Sequence, residues 1–238
     1  MIKKFVKSVL AYRPHSETEA VRRFLDTVRE PGLPFCPPWE GDLIHSLITR
    51  NRLARCLEIG FGTGSTAVYM LDAVEGMDGA EVTSVDLGGD AMNDLGQRNL
   101  ARHRHSVPHT LLLENSNTAV PRLFAEGRRF DFIYVDGWKT FDHLTMEMYF
   151  LARMLVPGGF MVFDDTYVDG MVKAVALAKV FYGFTEIDYA NAYGEDLRLR
   201  LWLTLTHRRT RRLYRALYKP VEIDTLPVAT DWTFHRSF

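Results

Sequence analysis

The stretch Leu57–Ser65, which reads LEIGFGTGS, predicts a strand that turns through a glycine loop into a helix. A short apolar run ends in three glycines at alternate positions, and the helix-compatible segment Thr66–Leu71 follows directly. Glycines let a backbone approach a ligand closely, and the amides of the loop and of the helix N-terminus are hydrogen-bond donors. The stretch therefore indicates an α/β protein that binds a ligand at this loop.

The spacing of the glycines narrows the class of ligand. Dinucleotide-binding loops follow the pattern G-x-G-x-x-G, whereas Gly60, Gly62 and Gly64 follow G-x-G-x-G. Glu58 stands two residues before the first glycine, where a carboxylate suits a ligand with an ammonium group and is unfavourable beside a pyrophosphate. The loop therefore disfavours a nicotinamide-dependent dehydrogenase.

A second predicted strand, Val82–Asp86, ends in an acid. An acid at that position accepts hydrogen bonds from ribose hydroxyls in nucleotide-binding α/β folds. The glycine loop and Asp86 together therefore predict a cofactor that contains a nucleoside.

These two features, in this order, resemble those of the class I S-adenosylmethionine-dependent methyltransferases. In that family the loop holds the methionine part of the cofactor, the second-strand acid holds the ribose, and the end of the third strand contacts adenine. The resemblance implies that S-adenosyl-L-methionine is bound by Glu58, Gly60, Phe61, Gly62, Gly64, Ser65, Asp86, Asn115 and Ser116. Two roles stay open for Glu58: it binds the methionine ammonium, or it accepts hydrogen bonds from the loop amides.

The composition is that of an ordinary globular protein. The chain has 238 residues, of which 47% are hydrophobic and 25% are charged, so it can bury one good core. A formal net charge of −1 gives the whole molecule no electrostatic reason to bind nucleic acid. The two cysteines suggest neither a disulfide framework nor a zinc site. Because no apolar run is long enough to span a membrane and the N-terminus lacks a cleavage pattern, we expect a cytoplasmic protein.

Helical and strand patterns alternate along most of the chain, which predicts a mostly parallel sheet with helices on both faces. The predicted strands are residues 56–59, 82–86, 110–113, 130–136 and 160–165. The predicted helices are residues 20–29, 39–49, 66–71, 90–104, 120–126, 141–155 and 170–182, with a rigid connector at 31–38 that packs on the domain and a helix stop at 156–159.

The end of the chain has a different pattern. Phe184–Tyr189 and Leu197–Thr206 are strand-like and close in sequence, so we expect an antiparallel hairpin at the sheet edge, which completes the seven-stranded, Rossmann-like sheet of the resembled family. The segment 207–219 carries six basic residues and no acids. Two interpretations stay open: it contacts an acidic substrate, phosphate or membrane surface, or it is a solvated, partly helical tail that docks through Leu213, Tyr214 and Leu217.

These patterns divide the chain into three parts. We expect an N-terminal helical cap at residues 1–38, a methyltransferase domain at 39–206 and a basic tail at 207–238.

Three acids follow the fourth and fifth predicted strands, namely Asp136, Asp164 and Asp165. Ligands of open α/β sheets sit at the carboxyl ends of the strands, so these acids should gather beside the glycine loop. Three neighbouring carboxylates repel one another unless a proton or a cation compensates their charge. A site built only from oxygen ligands suits Mg²⁺ or another hard divalent cation.

The motif Asp136-x-Trp138-Lys139, followed by Asp164-Asp165, resembles the catechol and caffeoyl-CoA O-methyltransferase branch of the family. The resemblance implies that the three acids bind a divalent cation, that Asp136 and Lys139 are catalytic with Lys139 as the general base, and that Asp136 and Trp138 border the cofactor. Two departures stand out: Asp165 replaces the usual asparagine, and Gly137 replaces a bulkier residue. Related sugar and antibiotic O-methyltransferases also carry acid pairs, some without a metal.

The leading hypothesis is O-methylation of a small-molecule hydroxyl on a phenol, a sugar or a secondary metabolite. A metal would lower the pKa of the acceptor hydroxyl, and Lys139 would need a lowered pKa to act as a base, whereas pairing with Asp136 would raise it. Two alternatives stay open: a hydroxylase-type component on the same fold, and a catalytically silent cofactor-binding adaptor that uses the basic tail. The sequence also leaves a homodimer open.

Four histidines lie near the predicted strand ends or in the segment before the third strand. His103, His105 and His109 have a spacing that can ligate zinc, but they lie in a polar connector, which disfavours that interpretation. His143 follows Lys139 closely and either reaches the pocket or covers a helix surface.

Overall fold

The structure, a computed structural model, describes residues 14–89, 91–187, 215–220 and 222. Seven strands of this part form one sheet: β1 (Arg55–Ile59), β2 (Glu81–Asp86), β3 (His109–Leu113), β4 (Phe130–Val135), β5 (Leu155–Phe163), β6 (Thr185–Glu186) and β7 (Arg215–Tyr218). Seven helices accompany them: α1 (Glu19–Val28), α2 (Pro38–Asn51), α3 (Ser65–Val74), α4 (Ala91–Arg102), α5 (Ser116–Ala125), α6 (Phe141–Met154) and α7 (Asp169–Val180).

The strand order is β3-β2-β1-β4-β5-β7-β6. Strands β1 to β5 are parallel, and β7 runs antiparallel to both β5 and β6. The predicted mostly parallel, Rossmann-like sheet with an antiparallel C-terminal pair is confirmed. Because β1, β2, β4 and β5 run in the same direction, the residues that follow them meet at one edge of the sheet.

Two apolar layers cover the two faces of the sheet. Cys56 of β1 faces the layer that contains α2 and α3, whereas Leu57 and Ile59 face the layer that contains α5, α6 and α7. The alternation follows from the two-residue repeat of a strand, and it explains why β1 is buried on both sides. No helix among the described residues is long and apolar enough to cross a membrane.

Strand β5 begins five residues before the predicted strand. The sequence predicted a helix stop at residues 156–159, but the structure pairs this segment with the chain that follows β7. The amide of Gly158 donates to the carbonyl of Lys219, and the amide of Lys219 donates to the carbonyl of Gly159. Helix α6 ends at Met154, before these glycines, and the glycines lie inside the extended ladder of β5.

The partner of β6 differs from the one expected for the hairpin. The predicted second strand, Leu197–Thr206, lies outside the described residues, as do Leu213 and Tyr214 of the predicted tail. The strand that pairs with β6 is β7, which falls inside the segment predicted to be a basic tail. Its residues Ala216 and Leu217 are buried in opposite apolar layers, so these apolar side chains, rather than the surrounding charges, determine its place. The three-part division of the chain stays a prediction.

Candidate functional site

The glycine loop leaves β1 at the carboxyl edge of the sheet. The amide of Gly60 donates to the carbonyl of Val85 at 2.9 Å, and the amide of Asp136 donates to the carbonyl of Ile59 at 2.8 Å. Gly60 has φ +96°, and a Cβ there would lie 2.5 Å from the carbonyl oxygen of Asp136. The loop can therefore pass against the end of β4 only with glycine at this position.

Asp86, at the end of β2, fixes the loop. Its Oδ2 accepts hydrogen bonds from the amides of Phe61 at 2.8 Å and Gly62 at 2.9 Å, and its Oδ1 accepts one from Gly88 at 3.2 Å. Each carboxylate oxygen has two acceptor positions, so Asp86 retains capacity for a further donor such as a ribose hydroxyl.

The predicted connector closes over the same loop. The amide of Cys36 donates to the hydroxyl of Ser65 at 2.8 Å, and the hydroxyl of Thr63 donates to the carbonyl of Pro34 at 2.9 Å. Cys36 is itself buried. The expected packing of this segment on the domain is therefore observed in the structure.

Two adjoining cavities border the loop. The larger has a volume of about 540 Å³ and extends towards β3 and α6, and the smaller has a volume of about 210 Å³ and lies under the connector. Both are lined by Gly60, Asp86, Met92 and Asp136, so the two spaces form one cleft at the carboxyl edge of the sheet.

Most of the predicted site residues line this cleft. The larger cavity is bordered by Gly60, Asp86, Asn115, Ser116, Asp136 and Trp138. The smaller is bordered by Gly60, Phe61, Gly62, Ser65, Asp86, Asp136 and Asp164. Four predicted residues line neither cavity, namely Glu58, Gly64, Lys139 and Asp165.

Glu58 faces the interior rather than the cleft. Its side chain is fully buried, and the hydroxyl of Ser84 donates to its Oε2 at 2.6 Å. Burial raises the pKa of Glu58 well above its ordinary value. The amides of Phe61 and Gly62, which Glu58 was expected to hold in one of its two roles, are held by Asp86.

The three predicted metal ligands converge. Asp136, Asp164 and Asp165 each offer a carboxylate oxygen, and these oxygens lie within 4.8 Å of one another. Asp165 has φ +49°, a left-handed conformation that aspartate and asparagine tolerate better than most residues. Its amide donates to Asp164 Oδ1 at 2.5 Å, which orients the second acid. A group of three hard oxygen donors can hold a divalent cation such as Mg²⁺.

Lys139 already compensates part of this negative charge. Its Nζ lies 2.9 Å from Asp136 Oδ1 and 3.0 Å from Asp165 Oδ2. Burial alone would lower the pKa of Lys139, but the two carboxylates outweigh this effect and raise it. Burial, with the charges of Glu40 and Asp136, raises the pKa of Asp164 to about 9. In this arrangement Lys139 is an ammonium, and a role as base requires these ion pairs to open.

His143 lies at the far end of the larger cavity. Its Nδ1 is 2.9 Å from Asn117 Nδ2, and its Nε2 is 2.9 Å from Ser116 Oγ and 3.1 Å from Glu147 Oε1. Because an amide nitrogen can only donate, we assign the imidazole proton to Nε2. The network fixes Ser116 and His143 at the wall of the cleft.

Sequence reasoning did not identify Glu147, although its position four residues after His143 on one helix face was a usable signal. Glu147 is fully buried, and burial raises its pKa from 4.5 to about 7. Burial also lowers the pKa of His143, which disfavours an imidazolium beside the carboxylate.

We expect Glu147→Gln to be more stable than the wild type at alkaline pH. Because the folded-state pKa is raised, the stability linked to this group is complete below pH 4.5 and is lost as the pH rises through about 7. The variant lacks this penalty, so its free energy of unfolding should exceed that of the wild type by about 3 kcal/mol at pH 8. Urea denaturation at pH 5 and pH 8 measures the difference. Equal stability of both proteins at pH 8 would show that the pKa of Glu147 is not raised in the folded protein.

His103, His105 and His109 do not form a metal site, and His109 lies on β3 rather than in the polar segment predicted for all three. The rings of His103 and His105 stack at 5.7 Å, whereas His109 Nε2 lies 3.0 Å from Ser84 Oγ. Within the described ranges, the group of acidic, histidine and cysteine residues with metal-binding geometry is Asp136, Asp164 and Asp165.

Glu40 is a further acid that lines the cleft, and it was not among the predicted site residues. It lies in the first turn of α2, is 2% exposed and lines the smaller cavity. The hydroxyl of Tyr134, on β4, donates to Glu40 Oε1. Glu40 and Tyr134 are 94 positions apart in the sequence. Their contact depends on tertiary packing, so no local sequence pattern predicts it.

Comparison with known proteins also indicates a methyltransferase. A protein-family model described as a methyltransferase domain matches residues 57–166. No curated protein matches the chain. Among solved structures, the O-methyltransferase from Bacillus cereus in complex with SAH has 16% identity and a TM-score of 0.58, with 92% of this chain and 97% of that chain covered.

Two further structures are similar. A Klebsiella pneumoniae protein, provisionally described as an O-methyltransferase, has 16% identity and a TM-score of 0.62, with 92% of this chain and 96% of that chain covered. The O-methyltransferase TomG from Streptomyces achromogenes, in complex with SAM, has 16% identity and a TM-score of 0.56, with the same coverage. At these identities the structures establish a shared fold. With the domain match, they confirm the resemblance to class I methyltransferases that the glycine loop and Asp86 predicted.

Proposed function

We propose that this protein is an S-adenosylmethionine-dependent O-methyltransferase that acts on a small-molecule hydroxyl with the help of a divalent cation. The observation that carries the proposal is the position of Asp136, which lines both cavities of the cleft and also belongs to the cluster of three acids. A cofactor in the cleft would therefore lie directly beside the acids.

The nucleoside part of the cofactor is placed in the larger cavity. Its volume of about 540 Å³ is in the ordinary range for ligand pockets, about 300–1,000 Å³. Asp86 would accept a hydrogen bond from the ribose, Asn115 and Ser116 would contact adenine, and the exposed ring of Trp138 would flank the ligand. The methionine part would then lie in the smaller cavity, beside Phe61, Gly62 and Ser65.

The acids would hold the cation. Asp136, Asp164 and Asp165 fit Mg²⁺ because they are hard oxygen donors that converge. Burial, with the charges of Glu40 and Asp136, raises the pKa of Asp164, and a bound cation would favour its charged form instead. A bound cation would lower the pKa of the acceptor hydroxyl and orient it, which is the Lewis-acid and template chemistry of such sites.

The residues of the chain supply alignment and proton handling. Methyl transfer forms a bond from the acceptor oxygen to the methyl carbon and breaks the bond from that carbon to sulfur, and the hydroxyl proton leaves. Lys139 and Asp136 stay the proposed catalytic residues, with Lys139 taking the proton only after its ion pairs open. Trp138 and Tyr167, which are exposed near the acids, are suited to border an acceptor.

Transfer of a labelled methyl group tests the proposal. The full chain is incubated with methyl-labelled S-adenosylmethionine and a panel of catechols, other phenols and sugars, with Mg²⁺ or with a chelator. We expect label in an acceptor hydroxyl and a large loss of transfer with the chelator. Cofactor binding without transfer to any acceptor would favour a silent adaptor, and oxygen incorporation into an acceptor would favour a hydroxylase-type role.

A further inference from the structure

The smaller cavity has an unusual balance of charge. Four of the side chains that line it are acidic, namely Glu40, Asp86, Asp136 and Asp164, and its described lining contains no lysine or arginine. Lys139 pairs with Asp136 and Asp165 but does not line this cavity. A ligand that occupies the cavity is therefore favoured when it carries positive charge.

The same cavity also offers hydrogen-bond donors. Ser65 and Thr66 of the first turn of α3 line it, whereas the amides of Phe61 and Gly62, which also line it, donate to Asp86. The first-turn amides of a helix have no partner within the helix and favour a carboxylate. A space with helix-terminal donors and acidic side chains is suited to an amino-acid zwitterion.

Glu40 is the acid in this cavity that has no other assigned role. Asp86 holds the glycine loop, and Asp136 and Asp164 belong to the metal-binding group, of which Glu40 is not a member. The hydroxyl of Tyr134 donates to Glu40 Oε1 and so fixes the carboxylate in place. Tyr134 lies on β4, and Asp136 follows the end of that strand. The hydrogen bond from Tyr134 therefore holds Glu40 close to the cleft.

Glu58 is less suited to bind a ligand. It is fully buried, lines neither cavity and accepts a hydrogen bond from Ser84.

From this arrangement we propose that Glu40, positioned by the Tyr134 hydroxyl, binds the α-ammonium group of the cofactor's methionine part. The inference rests on the proposed function, because it assigns one contact of the cofactor that function requires. Glu58 instead accepts a hydrogen bond from Ser84 of β2.

Calorimetry with two ligands tests the assignment. The full-length wild type is titrated with S-adenosylhomocysteine and with its analogue in which hydrogen replaces the α-amino group. The wild type should prefer S-adenosylhomocysteine by about 10- to 100-fold, as expected for a hydrogen bond to a charged group. Glu40→Gln should lose most of this preference while its affinity for the deaminated analogue stays within about threefold of the wild type.

Glu58→Gln is the matched control, because it makes the same substitution at a second buried glutamate, which lines neither cavity. It should keep the preference of the wild type. Tyr134→Phe keeps the Glu40 carboxylate and removes only its hydrogen-bond donor, so a partial loss of the preference is expected, and this variant decides the question if Glu40→Gln does not fold.

Three results would overturn the inference. Glu40→Gln could keep the full preference, it could weaken both ligands equally, or Glu58→Gln could lose the preference instead. A folded wild type that binds neither ligand would also refute the proposed function, whereas the three results above leave that function standing.

Discussion

Replacement of Gly60 by alanine is expected to abolish detectable binding of S-adenosylhomocysteine. The new Cβ would lie 2.5 Å from the carbonyl oxygen of Asp136, and φ at this position is +96°. The carbonyl cannot retreat easily, because the hydrogen bonds of Gly60 to Val85 and of Asp136 to Ile59 hold both segments in the sheet edge. A backbone conformation that disfavours side chains costs about 1–3 kcal/mol, and the clash adds to it.

Calorimetry and urea denaturation measure the two effects of Gly60→Ala. Gly76→Ala is the matched control, because Gly76 has φ +77° and no atom within 4 Å of its added Cβ. The control should lose stability through backbone strain alone and bind S-adenosylhomocysteine as the wild type does. Wild-type affinity in Gly60→Ala would show that the loop does not approach the ligand as the structure implies.

The second large effect is expected for Asp164→Ala. This change removes one of three converging carboxylates, so Mg²⁺ binding should be lost and methyl transfer should fall on the order of 10³-fold. Affinity for S-adenosylhomocysteine should stay within about tenfold, because the loop and Asp86 are unchanged. The fold should tolerate the change, since burial raises the pKa of Asp164 and its charged form is therefore disfavoured in the native protein.

Asp165→Asn provides the control for Asp164→Ala. Asparagine keeps an oxygen ligand and accepts the left-handed conformation of this position, φ +49°. Methyl transfer by this variant should stay within about tenfold of the wild type. If Asp164→Ala retained both Mg²⁺ binding and Mg²⁺-dependent transfer, the three acids would not be the metal site.

The central part of the fold was predictable because its signals are local. The apolar run before Gly60, the acid that ends β2 and the acids that follow β4 and β5 each stand at a strand end, and parallel strands bring such positions together. The strand alternation and the glycine spacing were therefore enough to place Asp86, Asp136 and Asp164 in one cleft.

The parts that the sequence did not predict depend on distant pairing. Strand β7 is four residues long and lies in a basic segment, so its own composition does not predict a strand. Its pairing with β5 and β6 places it inside the sheet. Glu40 meets Tyr134 only after α2 packs against the sheet. The sequence also could not show which acid holds the loop, because Glu58 and Asp86 both stand near it. In the structure Asp86 accepts from the loop amides, and Glu58 accepts from Ser84.

Titration of the purified full-length chain with S-adenosylhomocysteine tests the central claim most directly. We expect saturable binding of one ligand per chain. Asp86→Ala should weaken this binding strongly, because it removes the carboxylate that holds the loop. A folded protein that shows no affinity for S-adenosylhomocysteine or for S-adenosylmethionine would contradict this claim.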